Sequence, residues 1–304
     1  MAGVSIGAMF RRDRPPDELI PFARFCEAVG LDEMWVVEDC FWSGGLTAAS
    51  AALAVTATIR VGMGIVPAVA RNAAIVAMEM AGVSRMFPGR FVAGFGHGVA
   101  EWMDQIGALP PSQLAALTET LGAVSRLLRG ERITTVGRHV CLHDVALVFP
   151  PAVCPAVLAG VTGPRSIGAI AGVADGLLLP EGSSAAYVRA ARALLPPGSA
   201  CAVYVLFAVD DDPDVARAAV HGAVTQFAPG GVDRRLGLLG GSGDEHGADR
   251  ISRYAVAGSP AQCIASIGEL VEAGATSVVL VPQLPDHEAQ LTRAMREIVP
   301  ALSD

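Results

Sequence analysis

Residues 94–102 read GFGHGVAEW, so Gly94, Gly96 and Gly98 alternate with bulkier neighbours around His97, and a Glu-Trp pair follows. Glycines spaced this way let a backbone approach a ligand closely. His97 and Glu101 are the side chains of the run able to take up or release a proton. A second cluster, EDCFW at 38–42, gathers two carboxylates, a thiol and two aromatic rings. Asp39 suits bonding to a cofactor ring or to hydroxyls, and equally the capping of a following helix. Cys40 and Trp42 suit the wall of a substrate pocket, as do Trp102 beside Glu101 and Phe10 near the N-terminus. The segment GVTGPRS at 160–166 brings Gly160, Gly163, Arg165 and Ser166 to the start of a helix, with Pro164 at its first position. Backbone amides at such a helix start bind phosphate, and that reading is favoured over an ordinary connection. Glycines inside VGMGIVP (61–67) imply a bulge or a close backbone approach.

Other candidates carry less. Arg11, Arg12 and Arg14 could steer an anion, but a solvated loop is the safer reading. His139 and His143 flank Cys141 in a strand-like segment with no partner pair, so no metal site is expected. There is no GxSxG, and GFGHG is not the dinucleotide fingerprint GxGxxG.

The elements that must hold these residues alternate regularly. Strand-like runs at VSIGAMF, DEMWVVE, IRVGMGIVP, RFVAGFG, PAVLAGV, DGLLLP, CAVYVLFAV and SVVLVP are each followed by a helical pattern. The helices are expected near 17–29, 46–58, 72–86, 112–129, from Gly163, and over 185–195, 213–227, 260–273 and 287–298. Near-continuous apolar strands fit a parallel sheet buried on both faces. Eight such units predict a single (β/α)8 TIM barrel over residues 1–304 rather than an open doubly wound sheet. Two insertions interrupt it: a hairpin at about 131–150 and a Gly-rich, lid-like loop at about 228–250. In a barrel the ligand lies at the carboxyl ends of the strands. That end gathers Phe10, Glu38–Cys40, Gly64–Val66, Gly96–Gly98, Gly160–Gly163, Pro180–Glu181, Val209–Asp210 and Pro282–Gln283.

Composition sets the limits. Of 304 residues 52% are hydrophobic, enough for a large core. The net charge of −8 and the lack of a basic run argue against nucleic acid as a partner. All 22 basic residues are Arg, which excludes Schiff-base and P-loop lysine chemistry. The six cysteines form no CxxC pair and read as reduced, in a cytoplasmic protein. No apolar run of membrane-spanning length is free of Gly, Pro or charge, so no membrane contact is expected.

With these motifs in place, the run IRVGMGIVPAVARNAAIVAMEMAGVSRMFPGRFVAGFGHGVAEWMDQIG closely resembles the luciferase-like flavin and deazaflavin oxidoreductases. GPRSIGAIAGVADGLLL and VAGSPAQCIASIGELVEAGATSVVLVP resemble further family segments, so the likeness covers nearly the whole chain. The branch most similar is that of the methylenetetrahydromethanopterin reductases, which use coenzyme F420. The resemblance implies a strand-three bulge at Gly64, Ile65 and Val66, supporting the ring through a non-proline cis peptide. It implies that Asp39 lies near the deazaflavin, that Gly160, Gly163, Arg165 and Ser166 surround its phosphate, and that Gly96, His97 and Glu101 border the reaction centre.

The activity so implied is hydride transfer between F420 and a small organic substrate, by reduction of a C=N or C=C bond. Glu101 or His97 would exchange the proton, and Asp39 would orient the ring. The alternatives are an FMN-dependent monooxygenase fed by a separate reductase, and a non-catalytic binding subunit. Family barrels often dimerise, which leaves a homodimer open beside the monomer. Two departures narrow the substrate. Asp39-Cys40 stands where many relatives have Asp-His, and no lysine is present to grip a sugar phosphate. Pro180-Glu181 at the strand-six end also disfavours an anionic substrate.

Overall fold

The computed structural model of the chain describes residues 3–227, 232–237 and 248–302. Its strands are β1 (Ser5–Met9), β2 (Glu33–Val36), β3 (Arg60–Pro67), β4 (Phe91–Gly96), β5 (Ile133–Val136), β6 (Cys141–Val145), β7 (Ala156–Gly160), β8 (Gly176–Leu179), β9 (Ala200–Val209), β10 (Ala255–Gly258) and β11 (Ser277–Pro282). Eight of them pair in parallel in the order β1-β2-β3-β4-β7-β8-β9-β11, and β11 returns to β1 to close the barrel. These eight are the strands expected from the sequence.

β10 was not expected. It is a short apolar run that lies against the far half of β9. One edge of β9 pairs with β8 along Ala200–Val203 and then with β10 along Leu206–Val209. Its other edge carries β11. The hairpin insertion is β5–β6, antiparallel as expected. Its turn is held from outside by the Glu119 carboxylate, which accepts from the amides of Arg138, His139 and Val140 at 3.2, 2.7 and 2.9 Å. The Gly-rich loop expected at 228–250 lies largely outside the described residues.

Helix ends follow local chemistry. Asn72 caps Ala73–Met86 by accepting from the Ala74 amide at 2.9 Å. Ser112 caps Gln113–Leu128, whose Leu117, Leu121, Val124 and Leu128 form a buried stripe. Ser259 and Gln262 make a capping box before Pro260–Glu272.

Strand residues alternate between two cores, because successive side chains point to opposite faces. Ile6, Ala8 and Phe10 on β1 and just beyond it join the large core between the barrel and its helices. Met9, Trp35, Leu158, Leu178, Tyr204 and Val279 fill the barrel interior. Trp35 is the centre of that filling. A Cβ on Gly62 would stand 2.3 Å from its ring, and one on Gly7 3.3 Å from it, so both glycines give room to the indole.

The amino end of the barrel is sealed by polar side chains around the buried Glu33. Trp35 Nε1 and Ser277 Oγ donate to Oε2 of Glu33 at 2.8 and 2.6 Å, and Arg60 reaches Oε1 at 2.7 Å. Both oxygens of this buried carboxylate are thus engaged.

Candidate active site

At the carboxyl end of the strands the most unusual backbone is the bulge in β3. Met63 pairs with Ala93 and Val66 with Phe95, so one residue is extra between them. The Gly64–Ile65 peptide in this bulge is cis. Both features were implied by the family resemblance.

The bulge also explains the alternating glycines of β4. A Cβ on Gly94 would lie 2.6 Å from the Met63 carbonyl oxygen, one on Gly96 2.8 Å from Ile65 Cδ1, and one on Gly160 2.6 Å from Ile65 Cγ2. The close approach expected of Gly96 and Gly160 is therefore made first to Ile65. Ile65 itself stays partly exposed at the barrel mouth.

Asp39 follows β2 and is held by Arg12, whose Nη1 donates to its Oδ2 at 2.8 Å. The same guanidinium lies 5.5 Å from the centre of the Trp42 ring. The other two arginines after β1 are also engaged. Arg11 pairs with Asp13 at 2.8 Å and donates to the Pro282 carbonyl. Arg14 pairs with Glu18 and packs on the rings of Phe10 and Phe22.

Glu38, not singled out by the sequence reading, is buried. It binds Arg71 through both oxygens and accepts from the Gly45 amide at 2.9 Å. It ties the loops after β2 and β3 together and starts the helix Gly45–Ala54. These loops line a cavity of about 480 Å³ that includes Asp39, Cys40, Phe41, Trp42 and Arg71. Phe41 stands at φ 75°, a left-handed conformation that a bulky residue rarely adopts. Burial, and then Glu38 and Asp39, push the Cys40 thiol up, so Cys40 suits a pocket wall rather than a nucleophile.

Two expected pocket residues are placed elsewhere. Phe10 is 5% exposed and packs outward, 5.5 Å from the Phe22 ring, because the alternation along β1 turns Met9 into the barrel instead. Glu101 does not enter the cavity. Gly98 at φ 73° and an extended Val99 carry the chain out to the helix Ala100–Gln105, where Glu101 is exposed in the first turn. Trp102 on the same helix is half-buried.

His97 remains at the mouth. Its Nδ1 lies 3.2 Å from the Gln113 carbonyl oxygen, which only an N–H can satisfy. Burial lowers its pKa below the usual 6.5, with Arg235 acting in the same sense.

At the end of β7, Gly163 starts the helix Pro164–Ile170 with no side-chain cap. Arg165 is exposed and Ser166 half-buried beside it. Arg235, which the sequence did not single out, donates to Thr162 Oγ1 at 2.8 Å. Its short helix is anchored by Asp233, fully buried, whose two oxygens each lie 2.9 Å from Ser184 Oγ. Ser184 follows β8, so this contact draws residues 232–235 onto the barrel mouth.

Two further titratable groups belong to this part of the barrel. Glu181 follows β8 and is half-buried, and burial pushes its carboxyl up. Tyr204 is 6% exposed, meets Trp35 edge-on at 5.7 Å, and its hydroxyl has no hydrogen-bond partner. That hydroxyl reaches the bulge, where a Cβ on Gly64 would be 2.4 Å away. Among the described residues no three His, Cys, Asp or Glu side chains are arranged to hold a metal.

The model of the luciferase-like monooxygenase family matches residues 3–277. The chain belongs to that family. Among curated proteins it is similar to the 5,10-methylenetetrahydromethanopterin reductase of Methanolobus tindarius, 25% identical over 330 residues that cover 97% of this chain and all of that one. Among solved structures it shares its fold with an F420-dependent secondary alcohol dehydrogenase in complex with an F420-acetone adduct, with a TM-score of 0.82, 21% identity and coverage of 99% and 100%. The fold is also that of the oxygenating constituent of 3,6-diketocamphane monooxygenase from Pseudomonas putida in complex with FMN, with a TM-score of 0.76, 18% identity and coverage of 98% of each chain. No helix among the described residues is long and apolar enough to cross a membrane.

Proposed function

We propose that this luciferase-like barrel is an F420-dependent oxidoreductase acting on a small uncharged organic substrate, by reduction of a C=N or C=C bond. The observation that carries the reading is the β3 bulge between Met63 and Val66, which sets Ile65 at the floor of the mouth, supported by a relative named a methylenetetrahydromethanopterin reductase and by a structural neighbour named as F420-dependent. The residues present suit a deazaflavin. Ile65 offers an apolar, partly exposed surface for a ring, and the Tyr204 hydroxyl below it lacks a partner. Gly160, Gly163, Arg165 and Ser166, with Arg235 tied to Thr162, present amides and positive charge for a phosphate.

The bound deazaflavin supplies hydride chemistry with little reactivity toward oxygen. The chain then has to bind, orient and handle a proton. Arg12 fixes Asp39, which would border the ring, and lies over Trp42, which with Cys40 would wall the substrate side. Among the described residues no free cation faces this wall, since Arg11, Arg12 and Arg71 are all paired with carboxylates. A sugar phosphate therefore fits poorly and a neutral imine or enone fits well.

Fluorescence titration of the purified protein with F420 and, separately, with FMN tests the assignment. Tight binding of F420 alone is the expected result. Binding of FMN alone, with oxygen consumed on addition of reduced flavin, would replace this reading with a monooxygenase of the kind whose fold the chain shares.

A further inference from the structure

We propose that Glu181, at the end of β8, is the acid that exchanges a proton with the substrate. This rests on the hydride-transfer reading above and assigns its missing half. Hydride addition to a double bond needs a proton at the other end, and the two side chains first suited to that task stand badly for it. Glu101 is exposed on an outward helix. His97 carries its proton on Nδ1, directed at the Gln113 carbonyl.

Glu181 differs in three respects. It lies at the end of β8, where Pro180 fixes the chain and Gly182 at φ 78° turns it back over the barrel. Its carboxyl makes no hydrogen bond to another residue and no ion pair, because the two nearby guanidiniums are committed, Arg11 to Asp13 and Arg12 to Asp39. Of the charged groups that act on the buried Tyr204 hydroxyl, Glu181 acts most, ahead of Glu33 and Asp39. The groups around Glu181 are thus Asp39 from the β2 loop, Arg11 and Arg12 from the β1 loop, and Tyr204 from β9. Burial, and then Asp39, favour the protonated carboxyl, while its own backbone amide and the two arginines oppose it.

Glu181 is half-buried, so its unpaired carboxyl can reach both a substrate and water, as a general acid requires. In reduction, the Glu181 O–H bond breaks and an N–H or C–H bond forms at the end of the substrate that receives the π electron pair. The hydride and its two electrons come from the reduced cofactor, which ends oxidised. The carboxylate regains its proton from water.

The sign of the pH effect follows. The donor is the protonated form, so the reduction rate is highest below the raised Glu181 pKa and falls as pH rises through it. Glu181→Gln removes this limb and lowers kcat by about 10²–10⁴-fold with a cyclic imine or cyclic enone, while Glu181→Asp restores part of it.

A readout independent of turnover is the infrared C=O stretch of a protonated carboxyl in the cofactor-free protein, at a pH where exposed carboxylates are ionised. The band is expected in the wild type and in Glu181→Asp and absent in Glu181→Gln. A band unchanged by Glu181→Gln, or a kcat and pH profile unchanged by it, would overturn the proposal. F420 titration of the same proteins separates the two readings: a wild type that fails to bind F420 removes the cofactor assignment, and the infrared band still decides the state of Glu181.

Discussion

His97 shows how a single contact sets a residue's chemistry. A neutral imidazole has one donor and one acceptor nitrogen, and the Gln113 carbonyl claims the donor at Nδ1. Burial disfavours the charged form, and the nearby positive charge of Arg235 disfavours it further. Nitrogen NMR of ring-labelled protein should therefore find the Nδ1–H tautomer at neutral pH and a titration midpoint below 6.5. Arg235→Ala should raise that midpoint, since the repulsion is lost; a midpoint unmoved by this change would mean that burial and the opposing Gln113 contact set it without Arg235. The same logic separates the residues that sequence made legible from those it hid. Asp39, Cys40 and Trp42 are adjacent in sequence, so their gathering was visible. Arg12–Asp39, Glu38–Arg71 and Asp233–Ser184 join residues 27, 33 and 49 positions apart, and no local pattern announces them. Tyr204 read as one more apolar strand residue until β9 turned it toward Gly64.

At the scale of elements, the eight strands and most helix ends were readable because each carries its own periodicity and cap. β10 was not, since four apolar residues after a Gly-rich run carry no periodicity of their own and gain a ladder only from β9. Phe10 was misplaced for a related reason: composition marks a strand end, but only the phase of the alternation says which face a side chain takes.

Connections carry their own design. The carboxylate of Glu27, near the end of the helix Leu19–Ala28, accepts from the amides of Ala57, Thr58 and Ile59 and from the Thr58 hydroxyl, at 2.6 to 3.1 Å. These donors pull its pKa down from 4.5 to about 2, the Thr58 amide most of all. A depressed carboxyl pKa contributes stability that is present above the unfolded value and lost as pH falls through the folded one. Glu27→Gln should therefore cost about 1–2 kcal/mol at neutral pH, a figure kept modest because the site is partly in solvent. In denaturant titrations the gap between wild type and variant should narrow as pH falls from 4.5 toward 2. A gap independent of pH across that window would show that the carboxylate's charge contributes nothing.

At the scale of the molecule, the barrel works because one end is plugged and the other is left open. The plug is Trp35, seated on the Glu33 network and made room for by glycine on two neighbouring strands. β2 and β3 are adjacent, so the indole on one and the missing Cβ on the other form a single packing unit. Above it the interior narrows to Tyr204, Leu178 and the β3 bulge, which makes the floor of the mouth depend on the plug below.

A double-mutant cycle tests this dependence. Gly62→Ala places a methyl 2.3 Å from the indole and should destabilise by about 1–3 kcal/mol through overpacking. Trp35→Leu leaves a cavity and removes a donor from Glu33, at a cost of about 3–5 kcal/mol. Combined, the two should cost less than their sum, because the alanine methyl enters space the indole has vacated. Denaturant midpoints with an unchanged m-value would report the coupling. Strict additivity would mean that the two strands relax independently, and that the position of the Gly64–Ile65 bulge above them is set by the loops at the mouth instead of the packed interior.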